Sequence, residues 1–401
     1  MKLLFLFGGI PPYMHALLNK LAQKGAAVTA VIPAGRDSIL GKGVKVTDGS
    51  GACYRIVESH TKKSGIGKEV FPQLPTVIAQ EQPDILIAGW PWFLQYFTQQ
   101  QLRTTLRRQS VQFVIREIPF QMPPYGKARS YFRLHPAYDE EMKTVSRGTL
   151  FYLRQWIMMR IRRYCYAHAD GALAYASSGK ELMPGYGIAH EKVFVTGNSG
   201  DTEALLREKE LLRDESPVLP KNDRRIIHIG RLVKWKRVDL LLDAFAQVSS
   251  RYPDAELVVV GDGPERERLR LQAEKLKVAE KVRFTGALHE PREVGALLLV
   301  SSLYVLAGMG GLSINDAMAY GLPVICSVCD GTERDLVTHG VNGFFFREND
   351  ADDLAEKIAT LLDDPDRRKR MGEASREVIA HRINLETVAD RYMDAFTRIL
   401  A

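Results

Sequence analysis

VLAGMGGLSINDAMAYGLPVICSVCDGTERD, residues 305–335, joins an apolar strand to a helix through a run of small residues. Leu303-Tyr304-Val305-Leu306 suits the end of a buried strand. Ala307, Gly308, Gly310 and Gly311 follow, and a helical pattern runs from Leu312 to Tyr320. Gly321 and Pro323 stop that helix, and Val324-Ile325-Cys326 reads as the next strand. A strand, a glycine turn and a helix start make an anion site. Glycine lets the backbone approach a ligand, and the free N–H groups and positive dipole end of the helix face it. Ser313 or Gly311 is placed to cap the helix, and Asp316, one turn in, is near enough to its mouth to reach a ligand hydroxyl. The same residues also suit a tight turn that merely packs helix on strand.

Strand and helix patterns alternate outward from this stretch. Upstream, Arg225–Gly230 is a strand, Arg231–Arg237 a loop, and Val238–Ser250 a helix with Leu241, Leu242, Ala244 and Phe245 facing inward. Glu256–Val260 is a strand closing in Gly261-Asp262-Gly263-Pro264, and Val282–Thr285 is another, followed by Gly286. At the other end, Lys2–Phe7, the turn Gly8-Gly9-Ile10-Pro11-Pro12, the helix Tyr13–Lys24 and the strand Ala27–Ile32 form a βαβ unit. Further strands are Pro83–Gly89, Val111–Ile115, Gly171–Ala176 and Lys192–Thr196. Arg116 and Glu117 follow the second of these, where such sheets open to a ligand, although a local ion pair explains them equally. The fold class is α/β with parallel, helix-covered sheets.

The 401 residues exceed one ordinary core, so two domains are expected. The charged stretch 201–225, with Pro217 and Pro220, marks their boundary. Residues 1–203 form the first domain and 221–380 the second; the helix 385–401, apolar at Val388, Tyr392, Ala395 and Phe396, packs back on the first. Hydrophobic residues make up 45% and charged residues 26%, as in soluble proteins. No apolar run reaches the ~18 residues of a membrane span, and Met1–Phe7 is too short for a signal sequence, so a cytoplasmic location is expected. Cys326 and Cys329 have C-x-x-C spacing, but no second ligand pair lies nearby and the first falls in a strand, which favours packing over zinc or redox chemistry.

Charge is uneven. Residues 1–200 carry 25 Lys and Arg against 13 Asp and Glu, whereas residues 201–401 carry 30 against 35. A basic first half suits anionic lipid, nucleic acid or an anionic substrate. Residues 119–166 are rich in Pro and aromatics, then run FYLRQWIMMRIRRYCY with Arg154, Arg160, Arg162 and Arg163 among apolar residues. That pattern suits a bilayer interface or stacking on sugars, and equally an amphipathic core helix. No nucleic-acid reader motif accompanies the charge. In the second half, Arg231 and Lys236 lie just beyond a Gly-terminated strand, the pairing a diphosphate wants: one bidentate cation and one point charge.

Ile229-Gly230-Arg231-Leu232-Val233 with Lys236, Val259–Pro264, Phe284-Thr285-Gly286, Asp316–Val324 and Asn342-Gly343-Phe344 together resemble glycosyltransferase family 4, most closely over residues 225–345. The resemblance implies the GT-B fold: two Rossmann-like α/β/α domains with parallel sheets facing each other across a cleft. It implies a retaining transferase that moves a sugar from a nucleotide-diphosphate donor to an acceptor hydroxyl, in cell-surface polysaccharide or glycolipid synthesis, with no metal or other cofactor. Arg231 and Lys236 match the pair that binds the donor diphosphate; Gly310-Gly311-Leu312 match the segment whose amides face it, and Gly8-Gly9 the N-terminal glycine loop near it. Asp316 falls on the ribose-binding second Glu of E-x7-E, and Gly286 to Leu288 lie where the base is held. Two departures stand out. Gly308, beside Met309, replaces the first Glu of E-x7-E near the donor sugar, and Arg116-Glu117 stand near the place of the family's N-terminal cleft histidine. Partners implied are the sugar donor, a saccharide or lipid-linked acceptor and an anionic membrane surface at the inner face, with no nucleic acid. A non-catalytic nucleotide-sugar binder and an epimerase or phosphorylase of the same fold are the alternatives.

Overall fold

The computed structural model describes the chain except residues 36–38, 41–43, 120–121, 136, 138–144, 289 and 328–330, and the side chains at 39, 40, 44 and 45. It divides into two units: residues 1–197 with 388–401, and residues 198–387.

The first unit contains β1 (Lys2–Leu6), β2 (Ala27–Pro33), β3 (Ile39–Leu40), β4 (Val44–Lys45), β5 (Arg55–Ser59), β6 (Lys62–Lys63), β7 (Glu69–Val70), β8 (Ile85–Gly89), β9 (Gln112–Glu117), β10 (Gly171–Ala174) and β11 (Val193–Val195). Seven of these form a parallel sheet in the order β11-β10-β9-β8-β1-β2-β5, while β3–β4 and β6–β7 are short antiparallel pairs. The second unit contains β12 (Arg225–Ile229), β13 (Glu256–Val260), β14 (Val282–Gly286), β15 (Leu303–Leu306), β16 (Val324–Cys326) and β17 (Gly343–Phe345), all parallel in the order β14-β13-β12-β15-β16-β17. Both sheets are buried on both faces, so their central strands are unbroken apolar runs such as LLFL, ILIA and LYVL.

In each sheet the first strand lies inside the sheet, and the chain winds outward from it in both directions. The reversal leaves a crevice at the carboxyl ends of β1 and β8 in one sheet and of β12 and β15 in the other, the places where open α/β sheets bind ligands.

Three local expectations change. Strand β9 runs through Glu117 instead of ending at Ile115, because Gly89 pairs with Arg116 and Ala174 with Glu117. The charged stretch 201–225 is not all linker: Thr202–Leu212 is a helix capped by the Asp201 carboxylate on the Ala204 N–H, and it buries Leu205 and Leu212. Its charge marks a solvated face rather than a disordered one. Neither Ser313 nor Gly311 caps the helix Ser313–Ala319; Leu312 occupies the cap, and the Ser313 hydroxyl bonds to the Tyr304 hydroxyl at 2.7 Å. Cys326 is a buried residue of β16, and Cys329 lies outside the described residues.

Candidate functional site

The reversal in the second sheet is where the decisive stretch arrives. Strand β12 delivers Gly230 and Arg231 to its carboxyl end, and β15 delivers Ala307 to Leu312 beside them. The two loops are stitched together. The Met309 N–H donates to the Trp235 carbonyl at 2.7 Å, and the Lys236 Nζ donates to the Gly310 carbonyl at 2.5 Å. Gly308 makes this approach possible: a Cβ there would sit 2.1 Å from the Trp235 oxygen and 2.7 Å from the Lys236 carbonyl carbon. Gly261, at φ +142°, does the same service one strand over, where a Cβ would meet the Gly230 oxygen at 1.9 Å.

The loop with Arg231 and Lys236 and the turn Gly310–Leu312 meet here, and Asp316 follows one turn along the helix that the turn opens. Lys236 is buried, with its ammonium 3.0 Å from where a Gly311 Cβ would project. Arg231 is half-buried, its Nη1 has no hydrogen-bond partner, and burial lowers its pKa from the usual arginine value. Gly310, Gly311 and Leu312 lead into the helix that carries Asp316. The Asp316 side chain has no hydrogen bond or ion pair among the described residues. Although it keeps an edge toward solvent, burial pushes its carboxyl up to about 7. A buried, unmatched guanidinium nitrogen is costly in a core and useful in a binding pocket, and so is a buried carboxylate with open acceptor sites.

Gly286 and Leu288 stand at the carboxyl end of β14, the edge strand of the same sheet; the Gly286 carbonyl accepts from Gly261 N–H at 2.8 Å, and Leu288 packs on the core. Gly8, Gly9, Arg116 and Glu117 belong to the first unit, at the carboxyl ends of β1 and β9. There Glu117 is fully committed: Arg162 holds one oxygen at 2.5 Å and the Tyr166 hydroxyl the other at 2.8 Å, all three buried. The local ion pair weighed above is what this carboxylate makes.

One residue escaped the sequence reading. His228, in the middle of β12, is fully buried; its Nδ1 donates to the Val305 carbonyl at 2.9 Å, and its Nε2 has no partner. That nitrogen lies 3.4 Å from a Cβ placed on Gly230, under the Arg231–Lys236 loop. Burial lowers its pKa to about 4, so it is a neutral acceptor beneath the site at physiological pH. The only signal in the sequence was a histidine where a central strand calls for an aliphatic residue.

Among the described residues no cluster of three His, Cys, Asp or Glu forms a metal site. The two Asp-x-Asp spacings, Asp350/Asp352 and Asp364/Asp366, open helices instead, where Asp350 and Asp364 accept from the N–H groups of Asp353 and Arg367.

Residues 209–378 match the model of the glycosyl transferases group 1 family. The N-acetyl-alpha-D-glucosaminyl L-malate synthase of Bacillus anthracis is 29% identical over 224 residues, which are 55% of each chain. A GDP-mannose-dependent phosphatidylinositol monomannoside mannosyltransferase of Mycobacterium tuberculosis is 32% identical over 179 residues, 42% of this chain and 46% of that one. The chain thus spans about half the length of the curated relatives it matches. Anabaena HepE, solved in complex with UDP, superposes with a TM-score of 0.70 at 18% identity, over 99% of this chain and 100% of that one. The whole chain therefore has the two-sheet GT-B architecture, and its residues 209–378 resemble the glycosyl transferases group 1 family, whose model they match.

Proposed function

We propose that the chain is a retaining glycosyltransferase that takes its sugar from a nucleotide-diphosphate donor. The observation that carries this reading is the convergence of Arg231, Lys236 and the Gly310–Leu312 turn at the reversal of the second sheet. As the glycosidic bond to the donor breaks, negative charge develops on the departing diphosphate. Two fixed cations and the turn amides stabilise that charge without reorganising. The acceptor hydroxyl attacks from the face the diphosphate leaves, and a donor phosphate oxygen takes its proton. No step calls for a protein base at the position of Gly308. Incubating the protein with nucleotide sugars and following nucleoside diphosphate release tests the reading, and the anomeric configuration of the product tests retention. Nucleotide binding without turnover under any donor and acceptor pair would favour the non-catalytic alternative, which the missing Glu at 308 motivates.

Asp316 is the ribose anchor in this reading. Only the ionised carboxylate accepts from both hydroxyls without a competing proton. With its pKa near 7, nucleotide affinity should weaken as pH falls between about 8 and 6. Calorimetric titration of UDP or GDP across that window measures the effect, and Asp316→Asn should abolish the pH dependence while lowering affinity at pH 8. A flat profile in the unaltered protein removes Asp316 from the ribose.

The acceptor in this reading is lipid-linked, and the first unit docks on the anionic cytoplasmic face of a membrane. No helix among the described residues is long and apolar enough to cross one. The helices Ala128–Leu134 and Thr149–Ala167 instead expose Leu134 (76%), Leu150 (60%), Leu153 (51%), Trp156 (54%) and Ile157 (43%). Arg133, Arg154 and Arg160 are exposed among them. A core helix turns such residues inward; exposed apolar and basic residues mixed together suit a headgroup boundary. The protein should float with phosphatidylglycerol vesicles at low salt and be released by high salt, and the variant L153S/W156S/I157S should stay unbound. Equal recovery of that variant with vesicles counts against the docking surface.

A further inference from the structure

The cavity at the other reversal, in the first sheet, is not used by this account. It measures about 150 Å³ and lies at the carboxyl ends of β1, β8 and β9, lined by Phe7, Gly8, Trp90, Trp92, Arg116 and Glu117 among others. Alternation along β9 sends its last two side chains to opposite faces of the sheet. Glu117 turns to the helix Thr149–Ala167, where Arg162 and Tyr166 occupy both its oxygens. Arg116 turns to the opposite face. There its Nε donates to the Tyr392 hydroxyl at 2.8 Å, and the Tyr13 hydroxyl is its other hydrogen-bond partner.

Neither phenol neutralises a guanidinium. Arg116 forms no ion pair with any carboxylate among the described residues, whereas Glu117 is offset by Arg162. The charged side chains lining the cavity, with that partner counted, therefore sum to one uncompensated positive charge in an aromatic enclosure. Holding such a charge away from water is costly unless an anion meets it. A guanidinium has five donors, and two phenols leave several for a planar or tetrahedral oxyanion. The two hydroxyls, accepting from Arg116, keep their own protons to donate.

The geometry points to a receptor for a phosphate or carboxylate group in this cavity, with Arg116 as the ligating charge and Tyr13 and Tyr392 as its supports. Within the function proposed above, that group belongs to the acceptor, which makes the acceptor an anionic molecule; the anion site itself does not depend on that function.

The test is calorimetry on the full chain with glycerol 3-phosphate and L-malate as probes, glycerol as neutral control and UDP as a donor-side probe. At least one anion should bind saturably and glycerol should not. Arg116→Gln should weaken the anion by roughly tenfold or more, the effect of losing a hydrogen bond to a charged group, and Arg116→Lys should recover part of it. UDP affinity should change less than about twofold in both variants, which also reports that they remain folded. No saturable anion binding, or binding indifferent to Arg116→Gln, overturns the site. An equal loss of UDP and anion affinity overturns the acceptor assignment, because the anion is then the donor's own diphosphate. Failure of UDP to bind the unaltered protein would instead strike the proposed function and leave the anion site standing.

Discussion

Arg231→Ala should lower turnover by about 10²–10³-fold, the usual loss when one donor to a developing oxyanion is removed, or roughly 2.7–4 kcal/mol. It should do so without lowering the melting temperature. Arg231 Nη1 is buried and makes no hydrogen bond, so truncation removes a desolvated cation rather than a supporting contact. Lys236→Ala should cost as much turnover but melt lower, because its ammonium also ties Gly310 to the loop after β12, and an abandoned buried carbonyl costs about 1–3 kcal/mol. Lys236→Met keeps the apolar stem and separates the packing loss from the charge loss. The pair of measurements is diagnostic. A structural arginine lost from a core lowers stability first, whereas a functional one lowers turnover alone. Wild-type turnover in Arg231→Ala, measured with a donor the unaltered protein uses, would end the assignment of a diphosphate to this turn.

What the sequence made legible was the part that is local. Strand, glycine turn and helix alternate within short windows, and each parallel strand is a run such as LYVL that only a doubly covered sheet can bury. Arg231, Lys236 and Gly310 were recognisable because each lies in the loop that follows a strand end, and the sheet order brings those ends together. Residues set by packing between distant elements were not legible. His228 reads as one more strand residue until Val305 and the Gly230 turn close over it. Glu117 gives no sign in the sequence that Arg162 and Tyr166, on a later helix, will claim it. Arg116 acquires its character from Tyr392, which arrives from the other end of the chain. Pattern reading took the charged residues 201–225 as a domain boundary and gave no sign of the amphipathic helix within them, which hides Leu205 and Leu212 beneath Lys and Glu.

Gly308 is where family pattern and local physics part, and the difference is measurable. Reinstating the glutamate that the resemblance leads one to expect looks like a repair. Here it should be destructive. A Cβ at residue 308 falls 2.1 Å from the Trp235 carbonyl oxygen and 2.9 Å from Arg237 Cγ, and the first obstacle is backbone, which cannot rotate aside. Even Gly308→Ala must push the Trp235–Arg237 segment away from the loop after β15, breaking the Met309 N–H to Trp235 bond and shifting Lys236 from Gly310. Overpacking of this kind typically costs 1–3 kcal/mol, and a backbone obstacle puts the expected loss near the top, about 3 kcal/mol. The second unit should then melt roughly 6–12 °C lower. Nucleotide affinity should fall with it, since the displaced segment carries a cation of the proposed diphosphate site. Gly308→Glu adds a carboxylate beside that site, so its affinity should drop further than that of Gly308→Ala at equal melting temperature, an increment set by like charge facing the diphosphate rather than by space. If either variant melts with the unaltered protein and binds UDP as well, the two loops are not in contact, and the picture of a site closed around a glycine by its own backbone is wrong.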